Sequence, residues 1–167
     1  MGFRSKVKHI VSFLLHGETR PVVAHISYIQ ADRQLEGRKI IITGGGRGIG
    51  YAMARKFKAS GADVLISGRD EAKLKAVAGE IGCSYLKLDL RDVGSFESFI
   101  DEANHILGGA NCLVNNAGIS QIKLLGDVTV SDWNNMMAVH LGGAFNMTKA
   151  VIPDMIRRKK GSIINIS

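Results

Sequence analysis

The stretch "KIIITGGGRGIG", residues 39–50, leaves this chain few folds to choose from. Its continuous apolar run is the kind of strand that a parallel sheet buries on both faces. Glycines follow, and then Ile49, Met53 and Phe57 recur every four residues until Gly61 closes a helix. A strand, a glycine turn and a helix in that order make an anion site. Gly44 permits the tight turn, Gly48 lets backbone approach a pyrophosphate, and Gly50 allows close helix–strand packing. The helix N-terminus supplies free N–H groups and the positive end of its dipole. No Lys-Ser/Thr pair follows, so this is not a P-loop. Nor is it G-x-G-x-x-G, because Ile49 and Tyr51 stand where the last glycine of that fingerprint would fall. A tight turn with no ligand is the plain alternative.

The rest of the chain repeats the same alternation. "DVLIS" (63–67), "SYLKLDL" (84–90), "CLVNNAG" (112–118) and "SIINIS" (162–167) read as further strands. Asp70 is placed to cap a helix whose apolar face is Leu74, Val77, Ala78 and Ile81, and Gly82 ends it. Asp92 is expected to cap a helix using Val93, Phe96, Ile100 and Leu107. Ser131 is expected to cap a long helix from about Asp132, with Pro153 near its end. Strands alternating with helices of this length imply right-handed βαβ units and an α/β fold: a doubly wound (Rossmann) parallel sheet in three αβα layers. The usual order, 3-2-1-4-5-6, calls for a sixth strand beside the fifth, so the sheet is expected to be truncated after its fifth strand. The expected division is an extension over 1–36 and a nucleotide-binding domain over 37–167, incomplete at its C-terminus. Within the extension, "KVKHIVSFLLHG" suits a short amphipathic helix and "PVVAHISYI" a strand or arm packed on the domain surface, with membrane or partner contact as the other reading.

Composition excludes several classes. A hydrophobic fraction of 46% is incompatible with a disordered chain. The net charge of +7 points to an anionic partner. Its densest run, Arg157 to Lys160, sits where a helix ends and complements the macrodipole. No aromatic residue is interleaved for base stacking, which argues against nucleic acid. Cys83 and Cys112 lack metal-ligand spacing and read as buried thiols of a reducing compartment, so no metal site is expected. The apolar run near the start is too short to span a bilayer and has no cleavage site after it, and the opening "MGFRSK" fails the myristoylation pattern. Cytoplasmic is the expected location.

Taken together, Thr43-Gly44-x-x-x-Gly48-x-Gly50, "LDLRD" around Asp89, "NNAG" at 115–118 and "W…MMAVHLGGAFNMTKAVIPDM…GSIINIS" resemble the short-chain dehydrogenase/reductase family, from about Leu35 to Ser167. The resemblance implies hydride exchange between NAD(P)(H) and a carbonyl or alcohol substrate. It implies a pyrophosphate loop at Gly44, Arg47, Gly48, Ile49 and Gly50. Asp89 and Leu90 would form the adenine edge, with Asn116, Ala117 and Gly118 as the wall beside the nicotinamide ribose. Asn115 would mainly tie the fourth strand to its neighbours. It further implies that the long helix packs against its copy in another subunit.

Cofactor choice turns on the end of the second strand. An acidic residue there would accept the ribose hydroxyls and repel a 2′-phosphate. This chain has Gly68 followed by Arg69, and Arg47 adds a cation within the glycine loop. Two guanidinium groups favour NADP, with NAD as the alternative should Arg69 face solvent and Asp70 serve only as a cap. The implied chemistry is general acid catalysis by a tyrosine whose pKa a lysine lowers, with a serine and a helix asparagine. None of Tyr28, Tyr51 and Tyr85 has lysine four residues on. His140 occupies the asparagine position, either holding a relay water or filling a polar niche. Ser167 matches the serine before the catalytic one. This chain is therefore expected to be the cofactor-binding front of a longer oxidoreductase, inactive alone. The competing reading is a non-catalytic nucleotide-binding or interaction module.

Overall fold

Five runs of apolar and β-branched residues pair in parallel, and the helices between them cover both faces. The computed structural model describes residues 33–167. The segments read as an amphipathic helix and an arm lie outside the described residues, as does Tyr28. In chain order the elements are β1 (Lys39–Thr43), α1 (Gly48–Ala59), β2 (Asp63–Gly68), α2 (Glu71–Ile81), β3 (Ser84–Lys87), α3 (Phe96–Leu107) and β4 (Cys112–Asn115). Then follow α4 (Val130–Met137), a π-helical turn (Ala138–Gly142), α5 (Gly143–Arg157) and β5 (Ser162–Asn165). The sheet order is β3-β2-β1-β4-β5, the doubly wound α/β arrangement.

The pleat divides the core in two. On one face Ile41, Leu65 and Leu113 meet Phe96, Phe99 and Ile100 of α3 and Met147, Val151 and Met155 of α5. On the other, Ile40, Ile42, Val64, Ile66 and Val114 meet Ala54 of α1 and Leu74 and Ala78 of α2. Register places Ile40 beside both Val64 and Cys112, so the odd and even positions of the three central strands face alike. Because all five strands run the same way, their C-terminal ends open on one side of the sheet. That side carries the site.

Local signals are honoured at α2: the Asp70 carboxylate accepts from the Lys73 N–H, and Gly82 closes the helix in the left-handed conformation. Elsewhere the structure corrects the sequence reading. Asp92 caps only a 3-10 turn, Val93–Ser95, and Val93 is exposed rather than part of the apolar face of α3. Ile49 is also exposed, leaving Gly50 and Ala54 as the buried face of α1. β3 stops at Lys87, after which Leu88 donates its N–H to Gly68 O. The cap of the long helix is Thr129, not Ser131. Its hydroxyl accepts from the Asp132 N–H and the Asp132 carboxylate accepts from the Thr129 N–H, a reciprocal capping box. We expect Thr129→Ala to cost about 1 kcal/mol in urea unfolding while Ser131→Ala is nearly neutral. The reverse ranking would restore Ser131 as the cap.

β5 pairs with β4, placing Asn165 beside Asn115, and all four of its residues are exposed. Along the outer face of α4, the π-turn and α5 runs an exposed apolar stripe: Trp133, Met137, Leu141, Phe145, Ile152 and Ile156. No helix among the described residues is long and apolar enough to cross a membrane.

Candidate functional site

The C-terminal ends of β1 to β4 frame a cleft of about 910 Å³. Its floor is the glycine turn. Gly44 has φ +68, and a Cβ there would sit 2.8 Å from Ala117 Cα, so both the turn and the approach of the segment after β4 demand glycine. Arg47 stands at the N-cap of α1 in an extended conformation with no side-chain cap, and no acidic residue occupies the first turn. The opening N–H groups of α1 and its positive dipole end are therefore left to whatever anion enters the cleft.

Thr43 joins the turn to β4. Its hydroxyl accepts the N–H groups of Asn116 and Ala117, both at 3.0 Å, and lies 3.4 Å from Val114 O. Asn116 answers by donating Nδ2 to Thr43 O at 2.9 Å. Asn116, Ala117 and Gly118 thus form one wall, with the backbone of Asn116 and Ala117 held from behind. Asn115 points the other way, donating Nδ2 to Thr148 Oγ1 at 3.2 Å and to Asn165 Oδ1 at 2.9 Å. It ties β4 to α5 and β5. Its own buried side-chain Oδ1 has no partner among the described residues.

The opposite end of the cleft is cationic. Arg47, Arg69, Lys73, Lys87 and Arg91 line it, against the carboxylates of Asp70 and Asp89. Asp70 is engaged as the cap of α2. Asp89 is held by Arg91, with Nη2 on Oδ2 at 2.5 Å and Nε on Oδ1 at 2.9 Å. The Arg91 guanidinium lowers the Asp89 pKa to about 2. A carboxyl whose folded pKa lies below its unfolded value of about 3.9 contributes stability that is full above that value. The contribution is lost as pH falls through the folded pKa. We expect the stability difference between the parent chain and Arg91→Ala, read by urea unfolding, to persist at pH 5 and vanish near pH 2. A difference that is independent of pH would remove the pair as its source.

Gly44, Arg47, Gly48, Ile49, Gly50, Arg69, Asp89, Leu90, Asn116, Ala117 and Gly118 all line this one cleft. Leu90 does so with its side chain buried in the core cluster, so it can offer the cleft little beyond backbone. Sequence reasoning assigned no role to Thr43, Lys73, Lys87, Arg91 or Ile119. Lys73 was legible as the residue one turn after Arg69; the Thr43 bonds cross from β1 to β4 and leave no local trace. His140 is exposed at the centre of the π-turn and meets the backbone of Ile119 through Nε2. Tyr51 faces α2, donating its hydroxyl to Glu80 Oε1 at 2.5 Å, and that bond raises the phenol pKa. A tyrosine so placed is a poorer acid and lies off the cleft.

Comparison with known proteins bears on the fold and the family. The family model for short chain dehydrogenase matches residues 38–167. A 3-oxoacyl-(acyl-carrier-protein) reductase of Aquifex aeolicus is 35% identical over 140 residues, covering 80% of this chain and 56% of the relative. A 2,5-dichloro-2,5-cyclohexadiene-1,4-diol dehydrogenase of Sphingobium indicum is 36% identical over 139 residues, with the same coverage of each. The chain thus spans about half the length of these curated relatives. A metagenomic short-chain oxidoreductase solved in complex with NADP superposes with a TM-score of 0.72 at 36% identity, covering 80% of this chain and 62% of that one. The glycine turn, the uncapped helix and the walled cleft sit within the matched region, and the chain belongs to the short-chain dehydrogenase/reductase family.

Proposed function

We propose that the cleft binds a nicotinamide dinucleotide, NADP(H) in preference to NAD(H), and that the protein serves hydride exchange with a small carbonyl or alcohol substrate. The observation that carries the preference is the end of β2. Gly68 stands where an acidic residue would repel a 2′-phosphate, and Arg69 with Lys73 lines the cleft just beyond. The two nearby carboxylates are already engaged, Asp70 by α2 and Asp89 by Arg91. NADP in the solved relative supports the same choice. The bound cofactor would supply the hydride. This chain's residues would bind and orient it: the α1 N-terminus and Arg47 at the pyrophosphate, Asp89 at the adenine, and Asn116 to Gly118 beside the nicotinamide ribose.

Within these 167 residues no tyrosine has lysine four positions on, so cofactor binding without turnover is expected of this chain. That same feature favours the second reading, a nucleotide-binding module without chemistry. The apolar stripe from Trp133 to Ile156 supports pairing with a second copy. Fluorescence titration of the purified chain with NADPH and NADH tests the proposal. NADPH should bind more tightly; equal affinities would remove the preference, and no binding of either would remove the function. Oxidation of NADPH against a panel of aldehydes and ketones would show that the acid was wrongly sought in a Tyr–Lys pair.

A further inference from the structure

His140 presents one ring nitrogen to both polar groups of a single peptide residue. Its Nε2 lies 3.1 Å from the Ile119 nitrogen and 2.7 Å from the Ile119 oxygen. Its Cε1 presses on the residue before: a Cβ at Gly118 would come within 2.7 Å of it. Gly118 and Ile119 form the cleft wall, and Val139, the neighbour of His140 in the π-turn, lines the same cleft. The exposed ring thus sits against the wall and is linked to it by hydrogen bonding.

The chemistry of that link is incomplete. A neutral imidazole nitrogen either carries hydrogen or offers a lone pair, never both. With the proton on Nδ1, Nε2 accepts the Ile119 N–H but faces the Ile119 carbonyl lone pairs. With the proton on Nε2, the carbonyl is satisfied and the amide hydrogen faces another hydrogen. Either tautomer leaves one backbone group of Ile119 without a match from the ring. A side-chain amide of equal reach has an acceptor and a donor together and would match both.

We propose that His140 is a positioning residue that holds the Gly118–Ile119 wall of the cofactor cleft to the π-turn, and that its single nitrogen leaves this wall looser than an amide would. The functional part rests on the cleft being a nicotinamide site. The sign of the effect is distinctive: His140→Gln should tighten the wall, whereas His140→Ala should release it. Two readouts on the full chain separate these claims. One is amide hydrogen exchange at Ile119 without cofactor; the other is NADPH affinity by fluorescence titration. We expect faster Ile119 exchange and roughly three- to tenfold weaker NADPH binding in His140→Ala, the loss of one net hydrogen bond. In His140→Gln we expect exchange slower than in the parent and affinity at least equal to it.

Gly118→Ala displaces the ring by a second route, because the new Cβ would come within 2.7 Å of Cε1. Its effect on exchange should largely disappear when combined with His140→Ala, as a coupled pair requires. Unchanged Ile119 exchange in His140→Ala, or His140→Gln behaving like alanine with both variants folded by circular dichroism, would overturn the strap. So would full additivity with Gly118→Ala; if His140→Ala does not fold alone, Ile119 exchange in His140→Gln against the parent decides the matter. If the parent chain binds neither NADPH nor NADH, the nicotinamide reading fails, and Ile119 exchange still decides whether His140 holds the wall.

Discussion

Arg69→Ala is expected to reduce the preference for NADPH over NADH by about tenfold or more. Arg69 is the first residue after β2 and lines the cleft together with Arg47 from the glycine turn. A hydrogen bond from guanidinium to phosphate is charge-assisted and contributes about 1.5–3 kcal/mol. That contribution exists only for the cofactor that carries the phosphate. NADH affinity should therefore change little in the same variant, and the ratio of the two affinities is the informative quantity. The salt dependence of NADPH binding should also flatten, since one cation–anion contact is gone. Equal losses for both cofactors would mean that Arg69 acts on their shared part, or on folding, and would sink its assignment to the 2′-phosphate.

Gly50→Ala is expected to cost about 3 kcal/mol of stability, from overpacking and a broken, partly buried hydrogen bond together, and to abolish measurable nucleotide binding. A Cβ at Gly50 would collide with the carbonyl oxygen of Gly44 and lie 2.6 Å from Asn116 Nδ2. The first is backbone of a tight turn that cannot retreat. The second donates to Thr43 O and holds the wall at Asn116. One methyl group thus strains the turn and loosens the wall at once. Gly46→Ala is the control: its Cβ would make an ordinary contact, 3.5 Å from Leu74 Cδ2, so the cost should stay below about 1 kcal/mol. Urea unfolding with NADPH titration measures both effects. Similar behaviour of the two variants would show that the close approach at Gly50 carries no special weight.

That contrast shows where sequence reasoning stops. "GGGRGIG" announces a turn before a helix, yet within it Gly46 is tolerant and Gly50 is not. Which glycine is indispensable depends on Gly44 O and Asn116, and Asn116 arrives from a strand far along the chain. Thr43 is the same case, because its partners lie 73 and 74 residues away. Ser131 and Thr129 are both sound cap candidates by residue type. The reciprocal bond with Asp132 decides for Thr129, and it depends on where the incoming loop enters the helix.

By itself the sequence determined what short-range forces control. Strand runs such as "KIIIT" and "DVLIS", the Asp70 cap and the Gly82 stop all act within about one turn or one strand, so composition and spacing display them directly. Alternation of strand and helix then leaves one handedness and one end of the sheet for a site. Only the tertiary structure decided how that site is tuned. It turned Ile49 out of the core, placed Lys73 and Lys87 beside Arg69 in the cleft, and joined Asp89 to Arg91. It also set His140 against Ile119 across the turn from β4 to the long helix. The physical reason is range: a contact between residues distant in sequence is made by packing, and no local pattern of residue types specifies which of several eligible partners will meet.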